Sequence, residues 1–180
     1  ARNPMFARIT KAKAIYQEAM GYFEERNWIK AHNGIKAAQT FDPNNELYQE
    51  LEERFGRRAA DERAERHVKA AEFNEGVGRW DRAAAAYIYA AKIAEHRPDY
   101  WAKAAEMSLR VGDDLQTASD FAQKAIDQDP NNPSYLRVML AIFDGAGMVA
   151  KSSAIAARIL ELDPTAADVA DRLKRDLKRK

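Results

Sequence analysis

The residues best equipped for chemistry in this 180-residue chain are three histidines, His32, His67 and His96, and they do not converge. Two imidazoles share a metal on one helix face when they stand four residues apart, and no pair here does. Glu72 follows His67 by five residues, a poor spacing for a shared helical face. The absence of cysteine removes disulfides, thiolate nucleophiles and cysteine–zinc sites together. Ser152 and Ser153 lie in an alanine-rich stretch and read as packing residues. Gly76-Val77-Gly78 and Gly145-Ala146-Gly147 resemble phosphate loops only superficially. Neither has the further glycine of a dinucleotide site or the Lys-Ser/Thr ending of a P-loop, and neither follows a strand. The adjacent carboxylates Asp113 and Asp114 sit beside a turn and read as a helix cap. No catalytic constellation emerges. No metal or cofactor is expected, and the chain is expected not to be an enzyme.

Recognition is what the composition leaves. Twenty-nine basic residues against 28 acidic ones give a net charge of +1, so no global field draws nucleic acid or a membrane. No apolar run approaches the roughly 20 residues of a membrane-spanning helix, and no signal peptide is visible. A cytoplasmic location is expected. The start at Ala1-Arg2-Asn3-Pro4, without methionine, is consistent with a piece of a longer protein.

The elements that position these residues repeat. Asp42-Pro43-Asn44-Asn45 recurs as Asp129-Pro130-Asn131-Asn132, and a looser copy stands at Asp163-Pro164-Thr165-Ala166. Each closes a stretch that reads as two short helices. In the second helix of each pair a small residue (Ala31, Ala83, Ala118, Ser152) follows a bulky one (Trp28, Trp80, Leu115, Val149) by three positions. Further apolar residues continue that face, as in Ile35 and Ala38 or Ala122 and Ala125. First helices carry their own faces, from Ile15, Ala19 and Tyr22 in the first to Leu136, Met139, Leu140 and Phe143 in the last. Gly78, Gly112 and Gly147 precede second helices and suit a left-handed helix C-terminus. Pro43, Pro130 and Pro164 stop second helices. The asparagines after the first two can cap the helix that follows.

On these residues the chain resembles the tetratricopeptide repeat family. The first unit shows it through Ile15, Ala19, Tyr22, Trp28, Ala31, Ile35, Ala38 and Pro43, and the third through Trp101, Ala105, Gly112, Ala118, Ala125 and Pro130. The resemblance implies an all-α solenoid of antiparallel helix hairpins forming a single domain over residues 1–180. Its units run about 12–45, 64–98, 99–132 and 133–166. The second departs from the pattern, with Pro98 arriving a turn late after Ala94-Glu95-His96-Arg97. A capping helix over about 166–180 carries Val169, Leu173 and Leu177 every four residues.

One interval is too long. Ala83 follows Ala31 by 52 positions, about 18 more than the repeat requires, which is close to five helical turns. The preferred arrangement is a lengthened helix that inserts residues 46–63 and projects about 27 Å beyond the body. A break at Gly56 is the alternative. Leu47, Leu51 and Phe55 then form an apolar stripe that serves either as a spacer face or as an arm for self-association.

If the resemblance holds, first helices line a concave groove. Its residues include Tyr16, Met20, Phe23 and Glu24, then Glu72 and Glu75, then Glu106 and Arg110, and finally Arg137 and Asp144. A non-catalytic scaffold or adaptor that takes a peptide or partner helix of some basic character is the leading expectation. Chaperone-tail binders of the family use Lys and Asn where this chain has Tyr16 and Met20, and Lys where it has Asp99. Nucleic acid is the weaker alternative. It would use Arg54, Arg57, Arg58, Arg63 and Arg66 together with Arg172, Lys174, Arg175, Lys178, Arg179 and Lys180, among which acids are interleaved.

Overall fold

The computed structural model describes residues 4–112 and 114–177, with Leu177 placed in its helix but its side chain outside the description. Among these residues every regular element is a helix, in the order α1 (Pro4–Glu24), α2 (Trp28–Phe41), α3 (Glu46–Gly76), α4 (Trp80–Ile93), α5 (Pro98–Val111), α6 (Leu115–Gln128), α7 (Pro133–Gly145), α8 (Val149–Leu162) and α9 (Ala167–Leu177). The repeat spacing reads as one continuous body, yet the chain gathers into two compact units. The boundary falls inside α3, between Arg66 and His67.

In the first unit α1 and α2 cross where side chains almost vanish. A Cβ built on Gly34 would lie 2.7 Å from the Cβ of Ala19 and 3.3 Å from its Cα. Ala12, Ala31 and Ala38 are fully buried alongside. The hairpin leaves an open apolar edge, and the N-terminal half of α3 closes it. Tyr48, Leu51 and Phe55 are buried against Tyr16, Met20 and Phe23. The expectation of a projecting arm is therefore corrected. The helix is unbroken over 31 residues, but Leu51 and Phe55 belong to a core, and of the three arm residues only Leu47 is exposed. Gly56 does not break α3. It makes room for the His32 ring, whose Nε2 would stand 3.2 Å from a Cβ there and lies 3.1 Å from Glu52 Oε1.

In the second unit the C-terminal part of α3 pairs with α4 through Ala71, Ala83, Ala84 and Tyr87. Two further hairpins follow, α5–α6 and α7–α8, joined by Ala105, Ala118, Ala122, Met139 and Ile142. α9 covers the end through Val169, which with Ala166 just before the helix packs against Leu136, Leu140 and Ile159.

The turns explain the repeated tetrapeptide. Asp42 and Asp129 each donate their N–H to the carbonyl four residues back, at 3.1 Å. Asn45 and Asn132 each donate Nδ2 to that aspartate at 3.0 Å and close the turn through N–H to its carbonyl at 3.3 Å. Asn132 Oδ1 then accepts from Ser134 N at 3.1 Å and caps α7. Ala94 to Arg97 make the same backbone bonds, Ala94 N–H to Ala90 and Arg97 N–H to Ala94. Pro98 therefore opens α5 rather than closing α4 late; with no N–H to lose, it suits the first helical position. Gly78, Gly112 and Gly147 have φ of 73°, 81° and 66°, and Arg26 takes the equivalent place in the first hairpin at 58°. Asp114 caps α6 by accepting from Gln116 N, whereas Asp113 and the tail residues Lys178, Arg179 and Lys180 lie outside the described residues.

Candidate partner-binding surface

In the first unit the bulky residues of α1 are already occupied. Tyr16 stacks on Tyr48 at 5.4 Å between ring centroids. Phe23 lies 4.9 Å from the Phe55 ring and 5.4 Å from Trp28 in an edge contact. Arg54 sits 5.8 Å from both phenylalanine rings, and Arg58 lies 5.7 Å from the ring of Trp28. Tyr16, Met20 and Phe23 are half-buried, so their exposure does not by itself demand a partner, while Glu24 is exposed. The folding problem they solve is local, since the open edge of the hairpin needs a third helix.

In the second unit the first helices carry a chain of paired charges. Tyr87 Oη donates to Glu75 Oε2 at 2.9 Å, and Lys103 Nζ donates to Glu75 Oε1 at 3.3 Å. Lys103 also reaches Glu106 at 3.3 Å, Arg110 donates to the other oxygen of Glu106 at 3.4 Å, and the guanidinium of Arg110 covers Trp80 at 4.8 Å. Glu72 is exposed at the start of this ladder. Farther along, Arg137 grips Asp168 of α9 with two hydrogen bonds, at 2.6 and 3.2 Å. Asp144 is held in the same bidentate way by Arg172, which also donates to Ser152 Oγ at 2.7 Å and lies 3.2 Å from Asp176.

The structure thus joins Glu75, Glu106 and Arg110 in one network, and it ties Arg137 and Asp144 to the capping helix rather than to one another. Sequence reading missed Lys103, Tyr87, Asp168 and Arg172 as members. Lys103 stands three residues before Glu106, a legible pair. The cross-helix partners have no local signature, and Arg172 read as part of a basic tail. Arg57 likewise pairs with Glu53 at 2.7 Å along its own helix. Among the described residues no group of three or more His, Asp or Glu is placed to hold a metal ion, and no helix is long and apolar enough to cross a membrane.

The network sets an alkaline limit. Burial, aided by the hydrogen bond to Glu75, pushes the Tyr87 phenol well above its ordinary value of 10.0. Burial works to lower the Lys103 ammonium, but Glu106 and Glu75 outweigh it and hold it above 10.5. Both groups bind their protons more tightly in the folded chain. Their contribution is therefore complete below these ordinary values and is lost as pH rises through the folded ones. The urea midpoint should fall between about pH 10 and 12, and Tyr87→Phe should make that fall shallower. An unchanged slope in the variant would exclude Tyr87 as a source.

No protein-family model matches the sequence, and no curated protein is detectably similar to it. Solved structures are similar. The TPR domain of Arabidopsis OM64 matches with a TM-score of 0.62 and 19% identity over 67% of this chain and 99% of that one. The first TPR domain of Spaghetti (RPAP3), bound to the HSP90 peptide SRMEEVD, matches at 0.60 and 14% over 66% and 96%. MamA from Desulfovibrio magneticus matches at 0.59 and 13% over 94% and 85%. The chain has the tetratricopeptide repeat fold: an all-α array of antiparallel helix hairpins with a lengthened helix, α3, and a closing helix, α9.

Proposed function

We propose that the chain is a non-catalytic protein-interaction module whose second unit holds a peptide or partner helix along its first helices, α3, α5 and α7. One observation carries this reading. The exposed side of α3 and α5 bears a ladder of partly accessible charges, Glu75, Lys103, Glu106 and Arg110, beside the exposed carboxylate of Glu72. The fold supports it, since a solved neighbour holds a peptide. The chemistry favours a different guest from that neighbour's acidic peptide. Three glutamates flank one lysine and one arginine, and Asp99 is itself held by Arg97 at 2.6 Å. A basic amphipathic helix complements this surface, adding charge where the ladder is acidic.

The test is an NMR titration of the chain with a Lys/Leu amphipathic model helix and, separately, with the peptide SRMEEVD. The basic helix should shift amides of α5 and the end of α3, and Glu72→Lys with Glu106→Gln should weaken it at least tenfold, as about 1.4 kcal/mol or more of lost complementarity implies. Phe23→Glu would be a poor probe, because it places a charge inside the ring cluster of the first unit. Preferential binding of the acidic peptide, or shifts that ignore the double substitution, would overturn the assignment.

A further inference from the structure

We propose a second interaction surface in the second unit: the edge of α3 at Ala70 and Phe73 is an unfilled joint of the helix stack, and it takes an alanine-faced helix from a partner protein. The register comes from the left-handed glycines Gly78, Gly112 and Gly147, which follow the first helices α3, α5 and α7. Eight residues before them stand Ala70, Ala104 and Met139, and five residues before them stand Phe73, Met107 and Ile142. In α5 and α7 both positions are buried inside a joint. Ala104 and Met107 share a core with Ala83, Ala84 and Tyr87 of α4. Met139 and Ile142 share one with Ala118 and Ala122 of α6. Met107 is 0% exposed and Ile142 1%, whereas Phe73 is 64% exposed, and Ala70, one turn before it, is also at the surface.

An edge meant for solvent is built differently. Outer edges of repeat arrays are polar, and the first unit shows such an edge. Arg26 holds the left-handed place there, and eight and five residues before it stand Glu18 and Gly21, both exposed. Glu18 accepts from Tyr22 Oη at 3.0 Å. Ala70 and Phe73 follow the pattern of the inner joints instead. Val77, one turn after Phe73, is exposed too and lengthens the apolar strip. On the other side the strip is bounded by His67, whose ring meets Tyr89 of α4 edge-on at 4.4 Å between centroids. The inner joints also define the guest. Met107 and Ile142 are covered by helices that present alanines, Ala83 and Ala84 on α4 and Ala118 and Ala122 on α6, all buried. Small residues on the covering helix let the two axes approach closely, and the first helix supplies the bulk. Phe73 is the bulky half of such a contact, so the complementary half is an alanine stripe at helical spacing.

The probe is a synthetic peptide with the sequence of α6, Leu115–Gln128. A covalent side-chain bridge between its exposed positions 116 and 120 holds it helical, since a free peptide of this length is marginal in water. Titrated into the labelled chain, it should bind with a Kd of about 1 mM or tighter, as suits a small contact, and shift the amides of residues 70–77. The same peptide with Ala118→Glu and Ala122→Glu should not bind. Phe73→Ser, at an exposed position, should keep the parent's circular dichroism and weaken the alanine-faced peptide at least tenfold. The Lys/Leu helix of the groove titration should bind Phe73→Ser as it binds the parent, so either surface can fail without the other. No binding at about 1 mM, equal binding by the glutamate peptide or to Phe73→Ser, or shifts confined to α5 and α7 would overturn the proposal. So would a parent whose mass rises with concentration in sedimentation equilibrium while Phe73→Ser stays monomeric, because the edge would then belong to another copy of the chain.

Discussion

Phe55→Ala is expected to cost the first unit about 4 kcal/mol, the largest loss of any single truncation considered for that unit. The ring is fully buried, stacks on Phe23 and lies under the Arg54 guanidinium, so its removal leaves a cavity walled by side chains from two helices. The loss falls on the contact that closes the open edge of the α1–α2 hairpin. Hydrogen exchange should therefore show reduced protection together in α1, α2 and the N-terminal half of α3, rather than fraying at α3 alone. A variant that loses less than about 1 kcal/mol would mean that Phe55 is solvated and that the long helix stands away from the hairpin after all.

Gly34→Val is expected to cost about 3 kcal/mol through overpacking. The clash is with the backbone Cα as well as the Cβ of Ala19, so no rotamer of a flexible neighbour relieves it. Helix propensity works in the opposite direction, since glycine is about 1 kcal/mol worse than alanine in a helix, but valine recovers only part of that. A gentler pair isolates the contact. Gly34→Ala alone should destabilise, and Ala19→Gly in the same chain should recover part of the loss, giving a coupling of about 1 kcal/mol in a thermal-unfolding cycle. Strict additivity would show that α1 and α2 do not meet at these residues.

The hairpins were legible because their determinants are local. Alanines at helical spacing, glycines ahead of second helices and the repeated Asp-Pro-Asn-Asn turn each act within a few residues, and the helices follow them. The fate of the insertion was not legible. Its length argued for a continuous helix, and that held, but whether Leu51 and Phe55 meet solvent depends on how much apolar edge the α1–α2 hairpin leaves uncovered, a property of tertiary packing. Pro98 misled for a related reason. Proline is compatible with the end of one helix and with the first turn of the next, and only the backbone bonds of Ala94 and Arg97 decide between them. The surface was legible in part. Glu75, Glu106 and Arg110 were placed on the groove by the family resemblance, but the partner of Glu75 comes from another helix, and spacing along one helix says nothing about a lysine 28 positions away.

The internal pairing along α5 has a kinetic consequence. A visiting molecule that engages Glu106 competes with Lys103 and Arg110 for it, and one that engages Arg110 competes with Glu106 and the face of Trp80. Each bond gained is an exchange, with little net enthalpy and modest barriers in either direction. A surface built this way favours short dwell times and quick turnover among guests over a single permanent companion.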